Sequence, residues 1–281
     1  MPAWMAARPP SARLPLADLD AIERNTYEAI QPGVVEIRAA PDAWVVRAPG
    51  PPGAIGYSRA AVLRFGSFAD ARSRIDDLSA EFHAEGRTSA FAVAHGLSTP
   101  DDLPAVLRER GLIEIEREAV LWAADPPEIP HLDPGLRIEQ VTEGSAEDYV
   151  QVEAEVFGIP AGMAAARLPS LRASLGIAGR RAYLVAVSGR YVATTRLTVV
   201  GGLASLTSVG VLPEERGRGY GRLITAVATR AGLAAGARLV WLAVTPDNVA
   251  ATRLYESLGY HPAFDRSLWI EPGYRMGGPT H

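Results

Sequence analysis

The chain contains neither cysteine nor lysine among its 281 residues. Without cysteine it can form no disulfide, no thiolate metal site and no cysteine nucleophile. Without lysine it can form no Schiff base, and it cannot match the P-loop motif, which requires a lysine after its second glycine. A group-transfer reaction on this chain is therefore expected to proceed by direct attack, with no covalent intermediate on either side chain.

Several other function classes lack support in the composition. The net charge of −4 gives no electrostatic case for binding nucleic acid. No run of 18 apolar residues indicates a membrane span, and the first residues lack the long apolar core of a signal peptide. We therefore expect a cytoplasmic protein with no membrane partner and with flexible residues at 1–15.

Histidine is scarce, and its spacing does not indicate a metal site. The five histidines show no pair at helical ligand spacing, and no Gly-x-Ser-x-Gly elbow indicates a serine hydrolase. We interpret them as surface or packing residues and expect no metal cofactor; they are His83, His95, His131, His261 and His281.

The most informative segment is Ser208–Leu223, which reads as a strand, a glycine-rich turn and the start of a helix. Glycines at alternate positions let the backbone of the turn approach a ligand closely. The unpaired N–H groups of a helix N-terminus favour a phosphate or pyrophosphate, and three arginines add positive charge. These residues are Gly217, Gly219 and Gly221, with Arg216, Arg218 and Arg222.

Three interpretations of this turn compete. A dinucleotide fingerprint is disfavoured because its third glycine would fall at Arg222 and no carboxylate stands where the ribose partner is expected. The pattern Arg-x-x-Gly-x-Gly after a Val-x-Val strand end resembles the acetyl-CoA pyrophosphate loop of the GNAT superfamily of N-acetyltransferases. The third interpretation is a glycine-rich connection that binds no ligand.

A second block carries the same resemblance. Residues 248–260 read Asn-Val-Ala-Ala-Thr-Arg-Leu-Tyr-Glu-Ser-Leu-Gly-Tyr and resemble the Asn-x-x-Ala-x-x-Leu-Tyr-x-x-x-Gly-Phe/Tyr helix of that family. The resemblance implies that acetyl-CoA is the co-substrate. It implies contacts to acetyl-CoA from Val209, Gly210, Val211, Arg216, Gly217, Arg218, Gly219, Tyr220, Gly221, Arg222 and Asn248.

A length of 281 residues favours two domains, and a proline-rich stretch at 125–135 suggests the boundary. We predict a degenerate GNAT-like domain over residues 1–130 and a catalytic GNAT domain over 135–281. The fold class is α/β (α+β), with two tandem GNAT-like domains that are each a mixed, mostly antiparallel twisted sheet flanked by helices. For the second domain the predicted elements are strand Leu136–Gln140, helices within Ala146–Leu175, strands Ala182–Ser188, Tyr191–Val200 and Leu203–Val211, a helix to Ala235, strand Leu239–Val244, the Asn248 helix and strand Tyr260–Ile270.

The first domain repeats the end of this order without the turn chemistry. Its predicted elements are the hairpin Val34–Arg38 and Trp44–Arg47, strand Ala61–Phe65, helix Phe68–Glu85, strand Ser89–Ala94, helix Pro100–Arg110 and strand Leu112–Ala123. Between the first of these single strands and its helix stand one glycine and no arginine cluster. We interpret this domain as a copy that has lost cofactor binding, the alternative being an unrelated α/β domain.

The resemblance also implies the chemistry. The pantetheine arm would bond to the backbone at Val209 and Val211, whose amides would also polarise the thioester carbonyl. Tyr255 matches the family tyrosine that protonates the departing CoA thiolate, although a tyrosine on this helix face also fits ordinary core packing. The reaction is acetyl transfer to a small-molecule amine in a ternary complex, which makes the chain an N-acetyltransferase.

The general base and the acceptor are left open by the sequence. No Asp or Glu occurs from Arg181 to Pro213, so the amine arrives partly neutral, or a water chain relays its proton, or Glu153 or Glu155 accepts it. Both glutamates fit a solvated helix face. A non-catalytic acyl-CoA-binding sensor is the alternative function, and a monomer built from two similar halves or a homodimer are the expected states.

Overall fold

A computed structural model describes residues 13–30, 34–48, 58–129 and 135–272. Their helices are α1 (Leu16–Glu28), α2 (Phe68–Ala84), α3 (Leu103–Glu109), α4 (Ala146–Phe157), α5 (Ala161–Leu175), α6 (Tyr220–Ala234) and α7 (Val249–Ser257). Their strands are β1 (Glu36–Ala39), β2 (Trp44–Arg47), β3 (Arg59–Ala61), β4 (Ala90–Ala94), β5 (Ile113–Ala123), β6 (Leu136–Gln140), β7 (Arg180–Val187), β8 (Arg190–Val200), β9 (Leu203–Val211), β10 (Leu239–Val244) and β11 (His261–Ile270). None of these helices is long and apolar enough to cross a membrane.

All eleven strands form one sheet in the order β1-β2-β3-β4-β11-β5-β10-β9-β8-β7-β6. Neighbouring strands are antiparallel except at β3–β4 and β9–β10. This mixed, mostly antiparallel sheet with flanking helices is the predicted fold class, repeated in the two halves of the chain. The predicted hairpin at the start is confirmed, because β1 and β2 pair in antiparallel register.

The two halves exchange strands at the centre of the sheet. The last strand of the chain, β11, pairs with β4 of the first half and with β5. In turn, β5 pairs with β10 of the second half. The sheet is therefore continuous across the predicted boundary, whose residues 130–134 lie outside the described residues. The division of the chain into one domain over residues 1–130 and another over residues 135–281 stays a prediction.

Helices cover both faces of the sheet. In β4 the side chains of Phe91 and Val93 join the core under α2 and α3, whereas Ala94 joins the core under α1. In the second half, Gly232 of α6 lies directly over Ala204 of β9, where an added Cβ would come within 2.9 Å of the alanine Cβ. Helix α4 covers the other face of β8 and β9.

Helix α1 was not predicted, and it fastens the two halves together. Its buried Asn25 accepts a hydrogen bond from Trp241 Nε1 on β10 at 2.8 Å and donates to the carbonyl of Val200 at 3.0 Å. Toward the first half, Arg64 donates to the buried carboxylate of Glu23. The helix thus uses polar side chains on its buried side, which hides it from a search for apolar periodicity.

Two further predictions are corrected by the structure. The strand predicted at Ala61–Phe65 lies instead at Arg59–Ala61, because Val62 adopts a left-handed conformation with φ of 50° and ends it. The helix predicted to begin at Pro100 begins at Leu103. Residues 1–12 of the predicted flexible tail lie outside the described residues, whereas Leu14 packs against the core near α1.

Replacing Asn25 with alanine is expected to lower the free energy of unfolding by about 2 kcal/mol, since it leaves a buried indole N–H and a partly buried carbonyl without their side-chain partner. The matched control is Asp18→Ala on the same helix, which breaks a surface ion pair with Arg238 at 2.9 Å. That change should cost under about 1 kcal/mol. Urea denaturation of both variants tests this, and equal costs would contradict the role given to Asn25.

Candidate active site

The candidate site begins where β9 separates from β10. The two strands pair only at Leu203–Leu239, Ala204–Val240 and Trp241–Ser205. After these three pairs β10 diverges, and β9 changes from buried residues at 203–206 to partly exposed residues at 208–211. The second half of β9 therefore has one paired edge, toward β8, and one open edge.

A bulge at Ser208 sets which backbone groups face the open edge. Ser208 has φ of 52°, and the register between β8 and β9 shifts at this point. Thr194 Oγ1 donates to the carbonyl of Ser208 at 2.9 Å, which holds the bulge in place. Left-handed backbone is uncommon outside glycine, so its presence in a strand marks a constrained position.

Beyond the bulge the strand alternates again. Gly210 lies opposite Thr194, and the amide of Leu212 donates to the carbonyl of Val192 at 2.9 Å. Because backbone groups of successive strand residues point to opposite sides, those of Val209 and Val211 face the open edge. The carbonyl of Val211 on this edge accepts from Arg216, so the groups left for a ligand are the amides of the two valines, and their contact with acetyl-CoA stays a prediction.

The glycine turn places unpaired donors beside this edge. Gly217 and Gly219 have φ of 77° and 85°, and α6 starts immediately after the second of them. Within the described part of the chain, the amides of residues 217–222 donate no backbone hydrogen bond. Six consecutive amides without a backbone partner, in the turn and the first residues of α6, are typical of a site for an anion.

The three arginines of the turn make different contacts. Arg216 Nε donates to the carbonyl of Val211 at 3.2 Å, on the open side of β9. Arg218 pairs with Glu215 at 3.1 Å, and Arg222 donates to the hydroxyl of Ser257 at 3.0 Å. All three arginines are exposed, so they also supply positive charge around the turn.

Strand β9, helix α6 and helix α7 meet at Gly221. A Cβ added there would lie 3.2 Å from Leu254 Cδ1 and 3.5 Å from Val211 Cγ2. Gly221 therefore serves the packing of α7 against the turn, and a bulky substitution there would disturb the fold. At Gly217 and Gly219, by contrast, an added Cβ would meet no atom within 4 Å. The turn is open at these two glycines.

Tyr255 on α7 is buried, but its hydroxyl is not used to hold the core together. The side chain is 6% exposed, its ring lies 5.9 Å from the ring of Tyr260, and its hydroxyl makes no hydrogen bond to any described residue. Burial raises the pKa of Tyr255 to about 12, so the phenol stays protonated at ordinary pH. The Tyr260 hydroxyl differs, because it bonds to Thr229 at 2.7 Å.

Asn248 acts as the N-cap of α7. Its Oδ1 accepts a hydrogen bond from the amide of Ala251 at 3.1 Å, while the residue itself is exposed. The side-chain oxygen is therefore occupied with fixing the start of the helix that carries Tyr255. A direct contact to a ligand stays a prediction.

The two glutamates of α4 have different environments. Glu155 is exposed, as expected of a solvated helix face, but that interpretation is wrong for Glu153, whose side chain is 1% exposed. Glu153 Oε2 accepts hydrogen bonds from Arg196 on β8 and Arg167 on α5, both at 3.1 Å. Tyr149, one turn earlier, accepts from Arg196 Nε at 3.3 Å. The spacing of residues 149 and 153 is the one signal in the sequence that could have indicated this cluster.

The first half contains the same strand geometry with its open edge filled. Strands β3 and β4 pair only at Ala60–Phe91, and Val62 takes a left-handed conformation as Ser208 does in β9. Here, however, Thr99 lies along the edge. Its amide donates to the carbonyl of Leu63 and its carbonyl accepts from the amide of Phe65, both at 3.1 Å.

The N-terminus of the next helix, α2, is also occupied by residues of the chain itself. The Ser67 hydroxyl caps α2 by accepting from the amide of Asp70 at 3.1 Å, and it donates to the carboxylate of Asp70 at 2.8 Å. The chain itself thus places a carboxylate at the helix N-terminus that corresponds to the glycine turn. Both elements that could hold a cofactor in this half are occupied by neighbouring residues.

Comparison with known proteins agrees with this geometry. Residues 122–260 match the model of the Acetyltransferase (GNAT) family. A mycothiol acetyltransferase of Thermobispora bispora is 30% identical over 183 residues, which are 59% of this chain and only 60% of that protein.

Solved structures share the fold over nearly the whole chain. A GCN5-related N-acetyltransferase from Kribbella flavida aligns with a TM-score of 0.71 and 24% identity, over 91% of this chain and 96% of its own. A tandem GNAT protein from the clavulanic acid biosynthesis pathway aligns with a TM-score of 0.58 and 17% identity, over 99% of this chain and 93% of its own. Residues 122–260 therefore match the GNAT acetyltransferase family, the chain shares its two-half fold with solved GNAT proteins, and its first half holds a closed copy of the same strand and turn geometry.

Proposed function

We propose that the chain transfers an acetyl group from acetyl-CoA to the amine of a small molecule. The observation that carries this proposal is the open edge of β9 beside six free amides at the start of α6. A strand edge suits the amide-bearing pantetheine arm, and a helix N-terminus suits the pyrophosphate. The relative named as a mycothiol acetyltransferase supports a small-molecule acceptor.

In this proposal the amine and acetyl-CoA react in a ternary complex. The amides at Val209 and Val211 polarise the thioester carbonyl and stabilise the negative charge that develops on its oxygen. The amine nitrogen bonds to the carbonyl carbon, the carbon–sulfur bond breaks, and the proton lost by nitrogen ends on the CoA sulfur. With no cysteine or lysine in the chain, neither residue can carry the acetyl group between the two substrates.

The proposed role of Tyr255 is to donate a hydrogen bond to the departing sulfur. Its raised pKa makes it a reliable donor and a weak acid, since a thiol has a pKa of about 8.5. Complete transfer of the proton from the phenol to the thiolate would thus be energetically unfavourable. A hydrogen bond from the phenol to the sulfur lowers the barrier without such a transfer. In a profile of kcat/KM against pH, the fall in rate toward acid pH should then follow protonation of the acceptor amine. No change in rate below about pH 11 should come from ionisation of Tyr255.

The first half is proposed to bind no CoA, so one molecule binds per chain. Its strand edge is paired with Thr99 and its helix N-terminus carries Asp70. The cytoplasmic location, the absence of a metal and the oligomeric state stay predictions.

Replacing Gly219 with asparagine is expected to weaken CoA binding at least tenfold, about 1.4 kcal/mol, because the side chain enters the space proposed for the pyrophosphate. Asparagine tolerates the left-handed backbone that this position requires. Gly236→Asn is a matched control at the other end of α6, with φ of 91° and no atom within 4 Å of an added Cβ. Calorimetric titration with CoA checks both variants, and equal affinities would show that the turn is not the pyrophosphate site.

Incubating the protein with acetyl-CoA and a panel of primary amines, followed by mass spectrometry, tests the function. An acetylated amine is expected, and Tyr255→Phe should lower its rate of formation by about 10², the low end for acid catalysis. Its CoA affinity and melting temperature should change little, because the hydroxyl has no partner in the described structure.

Tyr260→Phe is the control for that variant. It removes the buried hydrogen bond to Thr229 and should cost about 1 kcal/mol of stability while preserving turnover. Unchanged turnover in Tyr255→Phe would assign Tyr255 to the core. CoA binding without acetylation of any amine would favour the sensor instead.

A further inference from the structure

Strand β6 forms one edge of the sheet, and its outer side pairs with no strand of the described residues. On its inner side, the amide of Ser188 donates to the carbonyl of Gly135 at 3.1 Å, and the amide of Val141 donates to the carbonyl of Ala182 at 2.8 Å. Hydrogen-bonded positions alternate along an antiparallel strand, so the odd-numbered residues from 135 to 141 direct their backbone groups toward β7. The backbone groups of the even-numbered residues therefore face outward; these residues are Leu136, Ile138 and Gln140.

The outer edge of β6 has none of the features that usually prevent a strand edge from pairing. Such edges are commonly blocked by a proline, a bulge or a covering segment. Strand β6 contains no proline, and its register with β7 has no shift. No backbone group of the described residues bonds to its outward-facing amides and carbonyls. The edge is therefore open to a further strand.

The side chains of β6 make this edge complementary to a second copy of itself. Antiparallel pairing about a two-fold axis at Ile138 places Arg137 of each copy opposite Glu139 of the other, at the non-hydrogen-bonded positions where side chains come closest. Arg137 is 69% exposed and Glu139 is 37% exposed. The Tyr191 hydroxyl occupies Glu139 Oε2 at 2.8 Å, whereas Oε1 lies 3.9 Å from Arg137 Nε of its own strand. Both charges thus stand at the edge where a second copy would meet them.

One register satisfies the backbone and the charges together. With the axis at Ile138, each of the three outward-facing donors of one copy meets a carbonyl of the other copy. With the axis at Arg137 or at Glu139, only two donors of each β6 are paired, and two like charges stand directly opposite each other. An axis between two residues would set outward-facing groups against inward-facing ones. The sequence Arg-Ile-Glu therefore selects a single pairing.

The opposite edge of the sheet is less suited to join two copies. Its strand, β1, carries Arg38, which is already paired with Glu81 of α2 at 2.6 Å. A chain that used both edges would build an open-ended filament, whereas pairing of β6 with β6 closes after two copies.

We propose that two copies of the chain form a dimer through β6, paired antiparallel about Ile138, so that one sheet runs through both protomers. The pairing extends the apolar core at its margin, because Leu136 and Ile138 are partly exposed and already pack against that core. A five-residue edge buries little area, so the dimer is weak and depends on protein concentration. The acetyl-transfer site at β9 lies three strands away and takes no part in the interface.

Sedimentation velocity of the full-length protein, at concentrations up to about 0.5 mM, measures the dimer. The wild type should show a monomer–dimer equilibrium with a Kd of about 100 μM or below. Arg137→Glu and Glu139→Arg each turn both opposite-charge pairs into like-charge pairs, so each variant alone should weaken dimerisation about tenfold or more. Arg72→Glu on α2 is the matched control, because it makes the same change in net charge at an exposed ion pair of the first half and should leave the Kd unchanged.

Mixing the two variants tests the register itself. In a heterodimer of Arg137→Glu with Glu139→Arg, one copy presents two negative side chains and the other presents two positive ones, so both cross-strand pairs are attractive again. An equimolar mixture should recover the dimer to within about threefold of the wild-type Kd, and so should the chain that carries both substitutions.

The melting temperature of each variant shows whether it is folded. Glu139→Arg also loses the bond from Tyr191, so Arg137→Glu, at the more exposed position, decides the question if Glu139→Arg proves unstable. A wild type that stays monomeric at every concentration would overturn the proposal. So would a folded Arg137→Glu that dimerises as tightly as the wild type, or a mixture of two folded variants that recovers no dimer.

Discussion

The separation of β9 from β10 after Ser205 is the constraint on which the site depends. A strand inside a sheet normally forms backbone hydrogen bonds with two neighbouring strands, whereas β9 has only one neighbour, β8, beyond that point. The bulge at Ser208 then selects Val209 and Val211 to face the opening. The glycine turn follows directly, because β9 ends at Val211 and leads into the start of α6. The unpaired edge of β9 and the unpaired N-terminus of α6 are thus neighbours both in the chain and in space.

In the first half of the chain, the corresponding strand edge and helix N-terminus are hydrogen-bonded to other residues of the same half. Its left-handed residue, Val62, and its short parallel pairing match those of β9, but Thr99 completes the edge and Asp70 neutralises the helix terminus. What this half contributes to the second is structural. Strand β11 pairs with β4 and β5 of the first half, and β5 pairs with β10. The polar side chains of α1 bond to both halves. Loss of the first half would therefore leave β11 without either of its neighbours and would expose the edge of β10 that pairs with β5.

The sequence predicted the elements whose residues follow a strong local rule. The limits of β9 and β10 and the glycine turn were predicted, since backbone demands and strand patterns are visible in residue types. Helix α1 was missed because it buries Glu23 and Asn25. The strand exchange and the burial of Glu153 were also beyond reach, because they depend on partners distant in sequence such as β11 and Arg196. Residue identity indicated where a ligand could bind, and only the fold showed that Glu153 is buried against Arg196 and Arg167.

Amide hydrogen exchange with and without CoA tests the central claim most directly. The account predicts that CoA slows exchange in segment 206–211, where the amides of Val209 and Val211 face the open edge, and in the turn residues 217–222. Residues 62–66 in the closed first half should exchange at the same rate in both states. Protection of 62–66, or no protection of 206–211 at saturating CoA, would contradict the claim that the separated strand is the cofactor site.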